Sequence, residues 1–363
     1  MEKVINTGIY ADLIPLAEDF FDNPLAIVDP LKGDGSDRSI YRIFSVENHQ
    51  PPVVGVIHRN VSENQDFFLL TQKFQETGLC VPQIYSVNSA ENAYLLQDLG
   101  QDTLADKITE WHTENRKDKI LDAYQLVLDS LCMMQHELPS VLTEFFKNRI
   151  MDVSVYQADL DYFKRDFIDR FEFDSWLSLR VKHELHSILF EHFADLDVGY
   201  FVYRDFQARN IMWLDNTPWF IDYQSAFLGP RYYDMASLLY GSKSGLDESA
   251  RESLNRYYYG LLQPTPLLSF EKYEALFYFF VVLRRLRSLG TYGYLSSVKG
   301  KTAFFDNIYP TLEELVRLFH SQPCLRQFVN LFGMMRKVKD IWEQRGDEFR
   351  SRLTKSLERN KPV

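Results

Sequence analysis

Apolar and polar positions divide the chain into short elements. Residues 11–21 carry helical spacing and predict a helix packed on the outside of a small sheet-bearing region. A polar stretch from Gly33 to Ser39 leads into Ile40-Tyr-Arg-Ile-Phe-Ser-Val, and after Pro51-Pro52 comes Val53-Val-Gly-Val-Ile-His. These two runs read as strands of a hairpin. Residues 66–78 predict a helix, with Gln65-Asp-Phe-Phe-Leu-Leu as its opening turns and Gly78 as its C-cap. Ala93-Tyr-Leu-Leu-Gln predicts a further strand. Beyond residue 200, Tyr200-Phe-Val-Tyr ends in the polar pair Arg204-Asp205. Asn210-Ile-Met-Trp-Leu then runs into a turn at Asp215-Asn-Thr-Pro before Trp219-Phe-Ile-Asp. That is a set of short strands flanking a loop, with acids at the strand ends. The apolar run 275–283 stops at Arg284-Arg285, short of a membrane-spanning length, and predicts a buried helix. The charged tail from about Arg336, with Leu353 and Leu357 at helical spacing, predicts an amphipathic end-helix that packs on the body or offers a partner surface.

The densest chemistry lies at residues 201–224. Asp205 and Asn210 are joined by D-x-x-x-x-N, and Asp222 follows on an apolar run. Phosphoryl transfer from a metal-bound nucleotide needs positioning and charge neutralisation more than covalent chemistry. Asp222 and Asn210 offer hard oxygen ligands of the kind magnesium takes when it also keeps waters and phosphate oxygens. Asp205 is then left to face the acceptor hydroxyl and take its proton. Either acid alone reads equally well as a turn residue beside a buried strand; the combined spacing favours the catalytic reading.

Tyr203-Arg-Asp-Phe-Gln-Ala-Arg-Asn resembles the H-R/G-D-x-x-x-x-N loop of the aminoglycoside phosphotransferase and choline kinase superfamily, and Ile221-Asp-Tyr-Gln resembles its version of the protein kinase D-F-G. Gly229-Pro-Arg-Tyr-Tyr-Asp-Met-Ala-Ser-Leu-Leu is similar to a block of one branch, which includes the bacterial anomeric kinases for N-acetylmuramate and N-acetylglucosamine. Residues 33–42 resemble that branch's phosphate loop, Leu95-Leu-Gln-Asp-Leu-Gly its hinge, and residues 283–295 its basic helix. Blocks in matching order thus run from about Gly33 to Phe305. The resemblance implies an α+β, bilobal, protein-kinase-like fold: a small N-terminal antiparallel-sheet lobe over residues 1–98 that binds nucleotide, and a larger, mainly helical catalytic and substrate lobe over 99–363. ATP and Mg2+ are the implied cofactors, and Gln97 and Leu99 the implied hinge contacts to the nucleotide.

Within that frame, Gly33, Gly35 and Ser36 are suited to bring backbone N–H groups close to phosphate, although a flexible hairpin turn accounts for G-x-G-S as well. Arg38 and Arg42 either add charge toward the phosphates or sit as solvated strand-edge residues. The strand after Pro52 lacks the lysine that clasps phosphates in protein kinases. His58 or Arg59 stands as substitute, or His58 is simply a satisfied residue at a strand end. Arg204 gives an R-D pair like that of protein kinases and the sugar kinases. Arg209 either neutralises charge developing on the phosphoryl group or braces the loop. Asp234 begins a helical pattern and is read as structural support, an acid in a first turn that accepts backbone N–H bonds. Arg284 and Arg287 share a helix face suited to gripping a carboxylate such as the lactyl group of N-acetylmuramate; solvated charges or pairing with acids elsewhere are the alternatives. Tyr292 is a candidate for stacking on a sugar ring, one among 21 tyrosines.

Composition changes this picture only by exclusion. With 363 residues, 45% of them hydrophobic, the chain can bury a substantial core. A net charge of −11 argues against a nucleic-acid surface as the main function. Cys80, Cys132 and Cys324 are widely spaced and suggest neither a disulfide framework nor a zinc site, which fits a reducing cytoplasm. No signal segment or membrane span is expected, and the oligomeric state stays open. The expected activity is ATP-dependent phosphorylation of a small molecule, with an amino sugar as acceptor in cell-wall recycling. Another hydroxyl metabolite, such as an amino alcohol or aminoglycoside, is the second expectation, and a nucleotide-binding regulator without strong catalysis the third.

Overall fold

The structure, a computed structural model, describes residues 10–22, 26–31, 38–45, 50–173, 180–181, 183–187, 196–262 and 268–359. The chain begins with α1 (Ile14–Phe21), β1 (Ala26–Leu31), β2 (Ser39–Ser45), β3 (Val53–Ile57), α2 (Val61–Glu76), β4 (Ile84–Val87) and β5 (Ala93–Gln97). It continues through α3 (Leu104–Thr113), α4 (Lys117–Val141), α5 (Val153–Phe163) and a π-helical turn (Lys164–Asp169). Next come β6 (Tyr200–Val202), β7 (Ile211–Leu214), β8 (Thr217–Phe220), β9 (Phe227–Gly229) and α6 (Tyr232–Leu239). Further long helices are α7 (Glu248–Leu261), α8 (Phe270–Ser297), α9 (Ile308–Ser321) and α10 (Val329–Arg359). The fold is α+β, an N-terminal antiparallel sheet followed by a mainly helical part. Two compact units divide it: one draws on the chain up to Asn148, Tyr203–Ala226 and Asp247–Leu254, the other on Arg149–Val202, Phe227–Leu246 and the chain from Asn255.

In the first unit the strands run β1-β2-β3-β5-β4, antiparallel throughout. The pairing Val53↔Gln97, Gly55↔Leu95, Ile57↔Ala93, with Tyr41↔Gly55 and Ile43↔Val53, fixes which side chains share a face. One face carries Tyr41, Ile43, Val53, Ala93 and Leu95, and they bury against Leu13, Ala17 and Phe21 of the α1 region. The apolar spacing of residues 11–21 is therefore spent on this sheet. The opposite face carries Ile40, Arg42, Val54, Val56, Tyr94 and Leu96.

Several elements differ from the sequence-based expectation. β1 is an additional edge strand, with Pro30 opposite Tyr41; Pro24 and Pro30 disguise it, and an edge is where a strand tolerates proline. α2 starts five residues earlier than the predicted residue 66, because the Asn60 side chain accepts a hydrogen bond from the Glu63 N–H at 3.3 Å and caps the helix there. Its end is as expected. Gly78 takes φ +80°, Leu79 N–H reaches Phe74 O at 2.9 Å and Gly78 N–H reaches Gln75 O at 3.0 Å. Thr217 and Pro218, expected in a turn, open β8, since Asp215 and Asn216 at φ +50° and +58° complete a two-residue hairpin turn by themselves.

In the second unit α8 is the central helix, buried along most of its length. The glycines of its Gly290-Thr-Tyr-Gly293 stretch let the neighbouring backbone come close. A Cβ at Gly290 would stand 3.0 Å from the Tyr162 ring and 3.1 Å from Phe163 Cα, and one at Gly293 would overlap the Asp166 carbonyl oxygen in the π-helical turn. Gly293→Ala is expected to destabilise the protein by about 3 kcal/mol, the upper range for overpacking, read as a lowered urea midpoint; an unchanged midpoint would contradict this packing. The tail predicted from residue 336 forms part of α10, whose Trp342 and Phe349 pack on Phe171 and Phe173. It is a packed end-helix.

Candidate active site

The D-x-x-x-x-N loop, Asp222 and the sheet all belong to the first unit. The loop is tied down before and after. Asn210 N–H bonds Gln207 O at 2.8 Å across a 3-10 turn, and Ile221 N–H returns to Asn210 O at 3.2 Å. The β7–β8 hairpin is anchored on both edges, with Trp213 N–H on Asp102 O and Phe220 N–H on Cys80 O, each at 2.9 Å. The Tyr203 hydroxyl donates to the carbonyl of Ile221, next to Asp222. The two stretches that carry the acids are thus one braced piece of backbone.

Two strained residues mark this piece. Arg204 and Asp222 hold φ of +78° and +67°, left-handed values that side chains other than glycine adopt sparingly. Backbone strain of this kind gathers where a side chain must be aimed.

The Asp205 carboxylate is about one-third exposed and receives the Gln207 amide at 2.5 Å on one oxygen and the Arg209 guanidinium at 3.1 Å on the other. Arg209 thus contacts the loop acid directly. Asn210 donates its Nδ2 to the backbone carbonyl of Asp205 at 2.9 Å, which orients its Oδ1 away from that carbonyl. Gln224 donates to Asp222 Oδ1 at 2.8 Å. Among the described residues no group of three or more His, Cys, Asp or Glu forms a metal cage. One carboxylate and one amide oxygen are nevertheless the hard donor set that suits magnesium shared with nucleotide phosphates. The residues fit the ion.

Tyr223 holds Asp222 from behind. Its ring stacks on Phe67 at 5.2 Å and its hydroxyl shares a buried 2.6 Å hydrogen bond with Thr71 of α2. Burial pushes this hydroxyl far above the ordinary tyrosine range, with the bond to Thr71 pulling the other way. Tyr94 stacks on the same Phe67, and burial raises its pKa to about 12; Arg38 opposes that rise, while Glu63 and Asp222 add to it.

The other expected nucleotide residues are placed as follows. Gly33, Gly35 and Ser36 lie outside the described residues. Arg38, just ahead of β2, pairs with Glu63 at 2.8 Å. Arg42 turns to the hinge, where it grips both Asp98 oxygens at 2.5 and 2.8 Å and Gly100 O at 2.8 Å. His58 is buried. Asn64 donates to the carbonyls of His58 and Glu91, so its oxygen faces the ring and accepts from His58 Nδ1 at 2.9 Å. Gln97 bonds Gln83 with its backbone N–H at 2.8 Å and its side-chain oxygen at 3.3 Å, and Leu99 is buried. Sequence reasoning missed Glu63, Asn64, Thr71 and Asp98 as parts of this arrangement; Glu63, Thr71 and Asp98 act through partners distant along the chain, and Asn64 through the nearby His58 and the more distant Glu91.

In the second unit Asp234 lies fully buried in the first turn of α6. Arg284 donates to the Tyr233 hydroxyl at 2.6 Å and lies over that ring, Arg287 pairs with Asp159, and Arg285 pairs with Glu314 at 2.7 Å. Each of these arginines thus has a partner inside the unit. Tyr292 is buried and stacks on Phe304 at 6.2 Å.

Residues 71–267, more than half of the chain, match the phosphotransferase enzyme family (APH). The chain belongs to that family. Among characterised phosphotransferases it is 24% identical over 314 residues to the N-acetylmuramate/N-acetylglucosamine kinase of Pseudomonas aeruginosa, covering 81% of this chain and 84% of that protein. Solved structures with the same fold include an ethanolamine kinase from Plasmodium vivax, at a TM-score of 0.59, 12% identity and coverage of 91% of this chain and 92% of that one. An ADP-bound aminoglycoside phosphotransferase aligns at a TM-score of 0.53 and 14% identity, covering 85% and 97%. The kinase-like expectation for the fold holds. Among the described residues no helix is long and apolar enough to cross a membrane.

Proposed function

We propose that this phosphotransferase moves the terminal phosphoryl group of ATP to the anomeric hydroxyl of N-acetylmuramate, N-acetylglucosamine or both, in the cytoplasmic recycling of cell-wall sugars. The observation that carries the reaction type is the braced grouping of Asp205, Asn210 and Asp222 in one compact unit. The similarity to a kinase of that substrate name over four-fifths of the chain supports the acceptor.

Residues 1–98 are assigned to the nucleotide and residues 99–363 to catalysis and the acceptor. The sheet face bearing Ile40, Val54 and Leu96 offers an apolar bed for the base, with Gln97 and Leu99 at the hinge, and Gly33, Gly35, Ser36 and Arg38 serve the phosphates. Asn210 and Asp222 would hold magnesium, which supplies charge neutralisation on the phosphates when bound. Asp205, steadied by Gln207 and Arg209, accepts the acceptor hydroxyl's proton, and Arg204 sets the backbone angle from which Asp205 projects. Arg287, whose side chain is 29% exposed, is better placed than Arg284 to trade its protein partner for an acceptor carboxylate; Tyr292 reaches a sugar only if its ring leaves Phe304.

The test is magnesium-dependent ADP release with N-acetylmuramate, N-acetylglucosamine, choline and kanamycin as acceptors. Stimulation by the amino sugars alone is expected. Stimulation only by choline or kanamycin would remove the sugar assignment and keep the kinase.

A further inference from the structure

In protein kinases a lysine on the third strand clasps the nucleotide phosphates and pairs with a glutamate on the following helix. Here β3 cannot supply it. Cross-strand register puts Val54 and Val56 on the face that also bears Tyr94 and Leu96, so the positions open to such a lysine are apolar. We propose that Arg38 supplies this phosphate-clasping charge from the start of β2, and that Glu63 of α2 is its positioning partner. The strand–helix ion pair is kept and its cation is moved one strand over. This inference rests on the kinase reading above.

The register and the contacts of Arg38 support it. The β2–β3 pairing begins at Ser39↔Ile57, so Arg38 comes next, opposite His58, on the face of Ile40, Val54 and Val56. Its guanidinium bonds Glu63 Oε1 at 2.8 Å and lies 5.9 Å from the Phe67 ring, with only 9% of the side chain exposed. A guanidinium has five donors in a fixed fork, so it can keep Glu63 and still engage phosphate oxygens.

The competing cations are engaged elsewhere or lie at the surface. Arg42 is committed to Asp98 and Gly100. His58 is buried and held by Asn64. Arg59 is exposed.

Calorimetric titration with ATP, ADP and AMP, each with magnesium, tests the assignment on the wild type, Arg38→Ala, Arg38→Lys and Glu63→Gln. Arg38→Ala should weaken ATP and ADP by about 10- to 100-fold, the worth of a charged hydrogen bond, and leave AMP within about twofold. Arg38→Lys should recover part of the loss. Glu63→Gln, which preserves shape, should weaken ATP several-fold and AMP not at all, and it carries the test if Arg38→Ala does not fold. Equal losses for all three nucleotides would reduce the pair to a structural brace and overturn the proposal, as would unchanged ATP affinity in either variant. A wild type that binds no ATP would overturn the kinase reading and this inference together.

Discussion

Asp205→Ala is expected to lower kcat by roughly 10²- to 10⁴-fold, the usual worth of a positioned general base, while ATP affinity stays close to wild type. The separation follows from how the loop is held. Asn210 bonds the backbone carbonyl of Asp205, which alanine keeps, and the β7–β8 hairpin is anchored through Asp102 and Cys80. Only the carboxylate is lost, together with its contacts to Gln207 and Arg209. Steady-state ADP release and calorimetric ATP binding measure the two quantities separately. A variant with normal kcat would remove Asp205 from the reaction, and a matched loss of binding and turnover would make it a structural residue.

Asp222→Asn should cost kcat a further factor of the same order, roughly 10²- to 10³-fold, as expected when one preorganised electrostatic contact is removed. Asparagine is the informative replacement. It tolerates the left-handed backbone that Asp222 adopts at φ +67°, so the hairpin and the Tyr223–Thr71 bond should persist. The charge alone changes. If Asp222 holds magnesium, the concentration of the ion needed for half-maximal activity rises sharply in the variant. A variant that loses activity with an unaltered magnesium requirement would place the acid's role elsewhere.

The readable part of this protein is the part whose signal is local. β5, the glycine end of α2 and the strands around Asp205 are written in consecutive residues, and the sequence-based expectations meet the structure there. β1 escaped because prolines flank and interrupt it, and β4 because Ile84-Tyr-Ser-Val is four residues long and half-exposed. The start of α2 escaped because Asn60, its cap, stands ahead of a polar stretch that masks the helical period.

Charge pairing was the least legible layer. Arg38 meets an acid 25 positions away and Arg42 one 56 away, and Arg287 meets Asp159 across 128. Nothing in the sequence near any of these arginines distinguishes a ligand-facing cation from a braced one. Helical spacing placed Arg284 and Arg287 on one face of α8, but their partners come from α6 and from α5, which comes close over Gly290.

The most direct test follows one reaction by phosphorus NMR: ATP, magnesium and N-acetylmuramate with the wild-type protein, and the same mixture with Asp205→Ala. Loss of the γ-phosphate signal with growth of a sugar 1-phosphate resonance, absent from the variant, is the expected result. ATP that stays intact, or a phosphate that appears with equal speed in both samples, would contradict a phosphotransferase working through Asp205 on that sugar.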